Sequence, residues 1–229
     1  MLSVKSNFTI FVSFISITGM KATLRTFVAA ALLLYASPAA GQIYGKLNSI
    51  FALAGVINPQ VEITLSDKMT FQAEIIFSPW KHISWKENDY PMLFFMASND
   101  IRWFFRAPAD GWYVGCNYGA QGFNMTKPEI FNKNIQFADH WGKGWGINTG
   151  VMVGWQRSLG QRWLLDAYLS FGYQISWYNS YRFDSGIELY PQGHSPDVPP
   201  DPWNASAEWG PNKAGVSFGY LLFDPKNKR

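Results

Sequence analysis

Apolar and polar residues alternate at every second position in several long stretches of this sequence. The clearest stretch is residues 165–177. Its odd-numbered positions include Leu165, Leu169 and Phe171, whereas its even-numbered positions include Asp166 and Ser170. Successive side chains of a β-strand point to opposite faces of its sheet, so this stretch predicts a strand with one apolar and one polar face. At 13 residues it is about twice as long as an average strand.

The same alternation predicts seven further strands, which are residues 44–53, 60–66, 69–78, 93–105, 112–121, 146–156 and 214–222. Their polar face consists largely of glycine and small polar residues and contains few charges. A soluble sheet would expose a charged face to water, whereas a narrow barrel must fit its inward side chains into a limited volume. We therefore predict an all-β fold, an eight-stranded antiparallel up-and-down transmembrane β-barrel. A soluble sandwich and a lipocalin-like barrel are the alternatives.

Short and long connections alternate between the predicted strands. Residues 66–68, 107–111 and 157–161 are short turns, whereas residues 79–91, 122–144 and 181–210 are long; the first connection, 54–58, is also short. Outer-membrane barrels have short periplasmic turns and long extracellular loops. The pattern predicts a protein of the bacterial outer membrane with extracellular long loops, and the even number of strands places both termini in the periplasm.

The first 41 residues have the order of an export signal. A short basic segment precedes an apolar run at residues 27–35, and small residues then lead to Gly41. This order predicts a secretory signal peptide that starts at Met20 rather than Met1 and is removed before Gln42. A long signal anchor is the alternative. The predicted organisation is a signal peptide at 1–41, a barrel at 42–223 and a short polar tail at 224–229.

Composition excludes several classes of protein. The 229 residues are 48% hydrophobic and 15% charged, a balance that excludes disorder. Of the 19 basic residues, three lie in the first 41, and the rest of the chain carries 16 basic and 16 acidic residues. No nucleic-acid partner is therefore expected, because such binding needs a basic footprint. A single cysteine, Cys116, excludes a disulfide framework and is expected to face lipid.

Aromatic residues cluster near both ends of the predicted strands. Their amphipathic rings suit the headgroup boundary of a membrane, and the predicted girdle comprises Trp80, Trp103, Trp112, Trp155, Trp163 and Trp177. On the last strand, Gly215, Phe218 and Tyr220 form a pattern that resembles the signal recognised by the bacterial barrel assembly machinery. The expected partners are that machinery, outer-membrane lipid and lipopolysaccharide.

Seven charged residues occupy positions that are predicted to face the interior of the barrel: Lys46, Glu62, Glu74, Asp100, Arg102, Asp166 and Lys213. Unpaired charges would be costly in a dry lumen, so we predict one ionic network that plugs the barrel. Arg102 is its expected hub, with Glu74, Asp100 and Asp166 as partners, because the guanidinium fork can bond several carboxylates. A proton or ion pathway is the alternative, although eight strands enclose a space that side chains fill.

Five segments carry a family resemblance: residues 78–80, 100–104, 154–156, 162–167 with 172–173, and 210–215. In their order and spacing the chain resembles an uncharacterised (DUF-type) family of outer-membrane barrels from Gram-negative gut and oral anaerobes. The resemblance implies genes that often lie beside fimbria components, and hence fimbria or other surface-appendage proteins as partners. It implies no known activity.

Residues suited to catalysis are few. His82, His140 and His194 all fall on predicted outer loops, where solvated side chains are expected rather than metal ligands. Ser84 with His82, and Asp139 with His140, are the local candidates for a lipid hydrolase or acyltransferase, but neither has the spacing of a known motif. No metal or cofactor is expected. We predict a non-enzymatic barrel that displays its loops in a structural or appendage-associated role. A lipid-modifying enzyme and a soluble periplasmic ligand-binding protein are the alternatives.

Overall fold

The computed structural model describes residues 41–85, 88–126, 128–129, 136–137, 140–183, 188–189 and 204–225. Its elements in chain order are β1 (Ile43–Asn48), α1 (Ser49–Leu53), β2 (Pro59–Ser66), β3 (Met69–Ser78), β4 (His82–Trp85), β5 (Asn88–Phe104), β6 (Asp110–Met125), β7 (Pro128–Glu129), β8 (Gln136–Phe137), β9 (His140–Leu159), β10 (Trp163–Arg182), β11 (Glu188–Leu189) and β12 (Asn204–Phe223). The predicted all-β antiparallel class is confirmed. The predicted signal peptide, apart from Gly41, lies outside the described residues. Among these residues, no helical segment has the length and hydrophobicity of a membrane-spanning helix.

Eight of the strands close the main sheet into a ring. The pairs are β1–β2, β2–β3, β3–β5, β5–β6, β6–β9, β9–β10, β10–β12 and β12–β1, and each is antiparallel. The last pair closes the ring, with Lys46 opposite Gly219 and Leu47 opposite Phe218. Where the ring is closed, every strand has a neighbour on both sides, so no ladder of backbone groups is left open there. Two short strands, β4 and β11, add to the ends of β5 and β10.

Several ring strands extend beyond the predicted boundaries into the segments expected to be long loops. Strands β9, β10 and β12 each have 20 residues, and β5 has 17. As a result, His82 and His140 lie on strands β4 and β9 rather than on loops, and His194 lies outside the described residues. Cross-strand backbone hydrogen bonds hold these extensions together. Such bonds form whether or not apolar and polar side chains alternate, and that alternation was the basis of the predicted strand boundaries.

The predicted first strand, 44–53, is wrong in its second half. The chain leaves the sheet after Asn48 and forms the helix α1. The Asn48 side-chain oxygen accepts hydrogen bonds from the backbone N–H groups of Ile50 (3.1 Å) and Phe51 (3.4 Å), so Asn48 acts as an N-cap. A cap of this kind satisfies amide groups that a continuing strand would have offered to its neighbours.

The ring is polar inside and apolar outside. The side chains buried in its interior are mainly polar or charged: Lys46, Asn48, Gln60, Glu62, Thr70, Gln72, Glu74, Ser98, Asp100, Arg102, Asn117, Gln156, Asp166, Ser170, Lys213 and Ser217. Many large apolar and aromatic side chains of the same strands are exposed: Leu47, Val61, Met69, Ile75, Ile101, Trp103, Trp112, Val114, Tyr118, Trp145, Ile147, Val151, Val153, Trp163, Leu169, Phe171, Phe218 and Leu222. This arrangement is the inverse of a water-soluble protein.

Two small apolar clusters complete the interior. Phe104, Tyr113, Met152 and Tyr168 pack together, and Tyr44, Ala109 and Leu164 form a second cluster near the short turns. The tight turn before β6 contributes Ala109 to this second cluster. Between them, the apolar side chains and the polar network occupy the interior of the ring.

Candidate functional site

The most distinctive site is the buried ionic network inside the ring. All seven inward charges expected from the sequence lie there, and none of the seven residues is more than 9% exposed. They lie on β1 (Lys46), β2 (Glu62), β3 (Glu74), β5 (Asp100 and Arg102), β10 (Asp166) and β12 (Lys213). The two remaining ring strands contribute neutral partners, Tyr113 from β6 and Gln156 from β9. Every strand of the ring therefore supplies at least one member.

Arg102 lies at the centre of the network and is completely buried. Its Nη2 donates to Asp100 Oδ2 (2.7 Å), and its Nη1 donates to Asp166 Oδ2 (2.8 Å) and to Glu62 Oε2 (3.3 Å). The guanidinium carbon also lies 5.0 Å from the centre of the Tyr113 ring. A planar, permanently charged group with several donors suits this hub position.

The expected partners of Arg102 are partly wrong. Glu62 takes the place predicted for Glu74, which instead pairs with Lys213. The reason is register: Arg102 lies opposite Thr70 across the β3–β5 pair, whereas Glu74 lies four residues farther along β3, opposite Ser98. The alternation of the sequence defines which face a side chain occupies but not its position along the axis of the ring.

Lys46 holds one half of the network together. Its Nζ donates to Glu62 Oε2 and to Asp166 Oδ2. Both carboxylates also accept from neutral donors: Glu62 accepts from Gln156 Nε2 (2.8 Å), and Asp166 accepts from Tyr113 Oη (2.9 Å). These bonds are the extra hydrogen bonds that a buried ion pair needs if it is to offset the loss of water.

Lys213 holds the other half. Its Nζ lies 2.6 Å from Asp100 Oδ1 and 2.7 Å from Glu74 Oε1. The second oxygen of Glu74 accepts from Gln60 Nε2 at 3.0 Å. Asp100 joins the two halves, because it bonds both Lys213 and Arg102. Neutral donors such as Gln60 carry no charge that would mark them in the sequence, although Gln60 occupies an inward position of its strand.

A glycine makes room for one of these donors. Gly154 lies opposite Tyr113 across the β6–β9 pair, and a Cβ atom there would lie 2.3 Å from Tyr113 Cζ. The absence of a side chain at Gly154 therefore leaves room for the Tyr113 ring, whose hydroxyl donates to Asp166. Several inward glycines of the sequence thus serve close packing inside the ring.

The tryptophans of the predicted girdle occupy different environments. Near the short turns, Trp103, Trp112 and Trp163 are 41%, 59% and 54% exposed, and Trp155 is half-buried. Toward the opposite end, Trp177 stacks on Trp145, with ring centres 4.4 Å apart.

Trp80 lies between β3 and β4, outside the ring strands, and its Nε1 donates to the carbonyl of Ala54 (3.0 Å). The residues of the expected assembly signal all lie on β12. Gly215 points inward, and a Cβ atom there would clash with the side chains of Asn48 and Tyr168. Phe218 is exposed on the outside of the ring.

Of the residues considered for catalysis, Ser84 and His82 lie in the described part of the chain and form no such cluster there. Ser84 Oγ donates to Asp89 Oδ1 (2.6 Å) across the β4–β5 pair, and no hydrogen bond joins Ser84 to His82 in the described part of the chain. Asp139 lies outside the described residues. Among the residues that the structure describes, no group of three His, Cys, Asp or Glu side chains could hold a metal ion. Cys116 is exposed on the outer face of β6.

Comparison with known proteins identifies one family. A family model described as "Protein of unknown function (DUF3575)" matches residues 24–222. No curated protein and no solved structure matches the chain. The match confirms the expected resemblance as far as an uncharacterised family is concerned, whereas the expected origin and neighbouring genes stay predictions.

Proposed function

The chain belongs to the DUF3575 family of proteins of unknown function, and we propose that it is a small non-enzymatic β-barrel of the bacterial outer membrane. In this proposal the eight ring strands span the membrane, and the ends of the long strands are displayed at the cell surface. Its role is structural, or it supports a surface appendage. The observation that carries the proposal is the inverted distribution of polarity, with a charged interior and a tall band without charges on the exterior.

The exterior band has the dimensions of a membrane. On β9, the outward positions from Trp145 to Trp155 carry no charge, and Lys143 and Arg157 are the next outward residues on either side. Ten residue steps of ~3.3 Å along a strand tilted by ~40° span about 25 Å, the height of the apolar band of outer-membrane barrels. The outward positions of β10 from Trp163 to Trp177 are likewise uncharged. A water-soluble barrel would have no reason to keep charges off so tall a band.

The interior supports a structural role rather than a transport role. Arg102, Phe104 and Tyr113 are among the largest completely buried side chains, and they lie inside the ring toward its short-turn end. An eight-stranded barrel has an interior that side chains can fill, and here the ionic network and the apolar clusters fill it. We therefore expect no steady ion conductance in planar lipid bilayers, and a defined single-channel conductance would contradict a closed lumen.

Membrane fractionation tests the proposal directly. The protein should remain with the outer membrane after washes with urea and alkaline carbonate and should require detergent for extraction. Unheated protein should migrate differently from boiled protein on a denaturing gel. Recovery in the soluble periplasmic fraction would reject the membrane barrel and favour the ligand-binding alternative.

Two further assays address the role. Co-purification after crosslinking of intact outer membrane would identify an appendage partner, and a protein with no reproducible crosslinked neighbour would favour a purely structural role. Analysis of lipid A with and without the protein tests the enzyme alternative. An acyl-chain difference that depends on Ser84 or His82 would overturn the non-enzymatic assignment.

A further inference from the structure

An open cavity of about 480 Å³ lies on the outside of the ring at its short-turn end. Three aromatic rings and three charged side chains line it: Phe105, Trp112, Trp155, Arg106, Asp110 and Arg157. We infer that this cavity binds the phosphate group of a glycerophospholipid headgroup. The inference rests on the proposed membrane location and goes beyond it, because it assigns a specific lipid site to one point of the barrel wall.

The cavity lies where the apolar band ends. Trp112 and Trp155 lie directly opposite each other on β6 and β9, and Asp110 lies opposite Arg157 at the next outward position toward the turn. Aromatic side chains therefore line the part nearer the apolar band, and the arginines line the part nearer the turn. A lipid in a bilayer has the same order, with acyl chains and glycerol on one side and phosphate on the other.

The charged groups suit a phosphate. Arginine presents a planar fork of donors that matches phosphate oxygens, and the two arginines outnumber the single carboxylate. Arg106 is held only loosely, because its Nη1 lies 3.7 Å from Asp110 Oδ2 and both side chains are exposed (78% and 57%). Its guanidinium can therefore turn toward a ligand without breaking a close hydrogen bond.

The turn that frames the cavity is held in place from inside the ring. Ala109 has a left-handed backbone conformation (φ 64°), its N–H donates to Gln156 Oε1 (3.2 Å), and its carbonyl accepts from Ser158 N (3.0 Å). Gln156 in turn donates to Glu62 in the ionic network. Because these bonds fix the backbone between Arg106 and Trp112, the cavity is preformed, which reduces the entropy lost when a ligand binds.

Native mass spectrometry of the whole protein in detergent micelles can test this site, with dioleoyl phosphatidylglycerol as the probe. The double variant Arg106→Gln/Arg157→Gln should weaken lipid retention by about five-fold for each arginine removed. Arg162→Gln is the matched control, because Arg162 is an exposed arginine at the same end whose Nη1 donates to Tyr220 Oη, away from the cavity. The Arg162→Gln control should retain the lipid as the wild type does. Dioleoylglycerol, which lacks the phosphate, should bind poorly to both the wild type and the control.

Three results would overturn the inference. They are equal retention by the double variant and the wild type, an equal loss in Arg162→Gln, and displacement of the lipid by an equimolar amount of inorganic phosphate, which would indicate a site for the free ion. Each sample is first checked for heat-dependent gel mobility, so that loss of the lipid site is distinguished from loss of the barrel. A protein that lacks this mobility shift would contradict the proposed function instead.

Discussion

Replacing Arg102 by methionine tests whether the ionic network stabilises the ring. Methionine has a similar length and no charge, so Arg102→Met removes the guanidinium without leaving a large cavity. It deletes the hydrogen bonds to Asp100, Asp166 and Glu62. The four buried carboxylates of the network would then face only two cations, Lys46 and Lys213.

The expected loss is large because the remaining carboxylates cannot reach water. Arg102 and its partners are at most 2% exposed, and removing one partner from a buried ion pair costs about 3–5 kcal/mol. Neutral donors cannot compensate fully. Asp166 keeps its bonds to Lys46 and Tyr113, and Asp100 keeps its bond to Lys213, so the loss should fall within this range rather than above it.

Urea titration of the protein in lipid vesicles, scored by the heat-dependent gel shift, measures the free energy of unfolding. Arg162→Met should leave the midpoint unchanged, because Arg162 is exposed at a turn. The double variant Arg102→Met/Asp166→Asn should recover part of the loss, since it removes one of the two negative charges left in excess and the two sites are coupled. An Arg102→Met midpoint equal to that of the wild type would refute the reasoning, because the network would then contribute nothing to stability.

Three further predictions concern the wall, the packing and the processing of the protein. A spin label at position 169 should be quenched by oxygen dissolved in lipid and a label at 170 should not, because Leu169 is 54% exposed on the outside and Ser170 is 1% exposed inside. Equal quenching at both positions would contradict the barrel. The substitution Leu169→Arg should lower the free energy of unfolding by ~2–4 kcal/mol. Gly154→Ala should destabilise the protein by about 1–3 kcal/mol in the same urea titration, because the new Cβ would collide with the Tyr113 ring. The control Gly210→Ala should be tolerated, because no atom lies within 4 Å of its new Cβ. Equal unfolding midpoints for the two variants would show that Gly154 has no packing role. N-terminal sequencing of membrane-extracted protein should begin near Gln42, and retention of residues 1–41 would disprove the signal peptide.

The face that each inward charge occupies could be predicted because it depends only on whether the residue falls on an odd or an even position of its strand. A one-residue slip would move every side chain of a strand to the other face, so alternation allows a single solution for each strand. Lys46 and Asp166 are separated by 120 residues, yet both could be placed inside the ring in this way. The same rule identifies the uncharged outer band, on which the membrane proposal depends.

The partner of each charge could not be predicted in the same way. Pairing depends on how far each strand is displaced against its neighbour, and local irregularities change that displacement. In the β10–β12 pair, Ser170 lies opposite Lys213 but Phe171 lies opposite Pro211, so Asn212 is an extra residue in the ladder. Such a bulge shifts everything beyond it, and the alternating pattern of the sequence contains no signal for its position.

Gln156 shows why the neutral members of the network matter as much as its charges. It has no charge to attract attention in the sequence, yet its amide nitrogen donates to Glu62 and its oxygen accepts from the backbone of Ala109. An amide can donate and accept at once, which a lysine, an arginine or a carboxylate cannot do. It therefore connects the ionic network to a backbone turn in a strained, left-handed conformation. The same turn bears Arg106 of the proposed lipid site and leads into β6, which carries Trp112, so the interior of the ring holds this part of its outer surface in place.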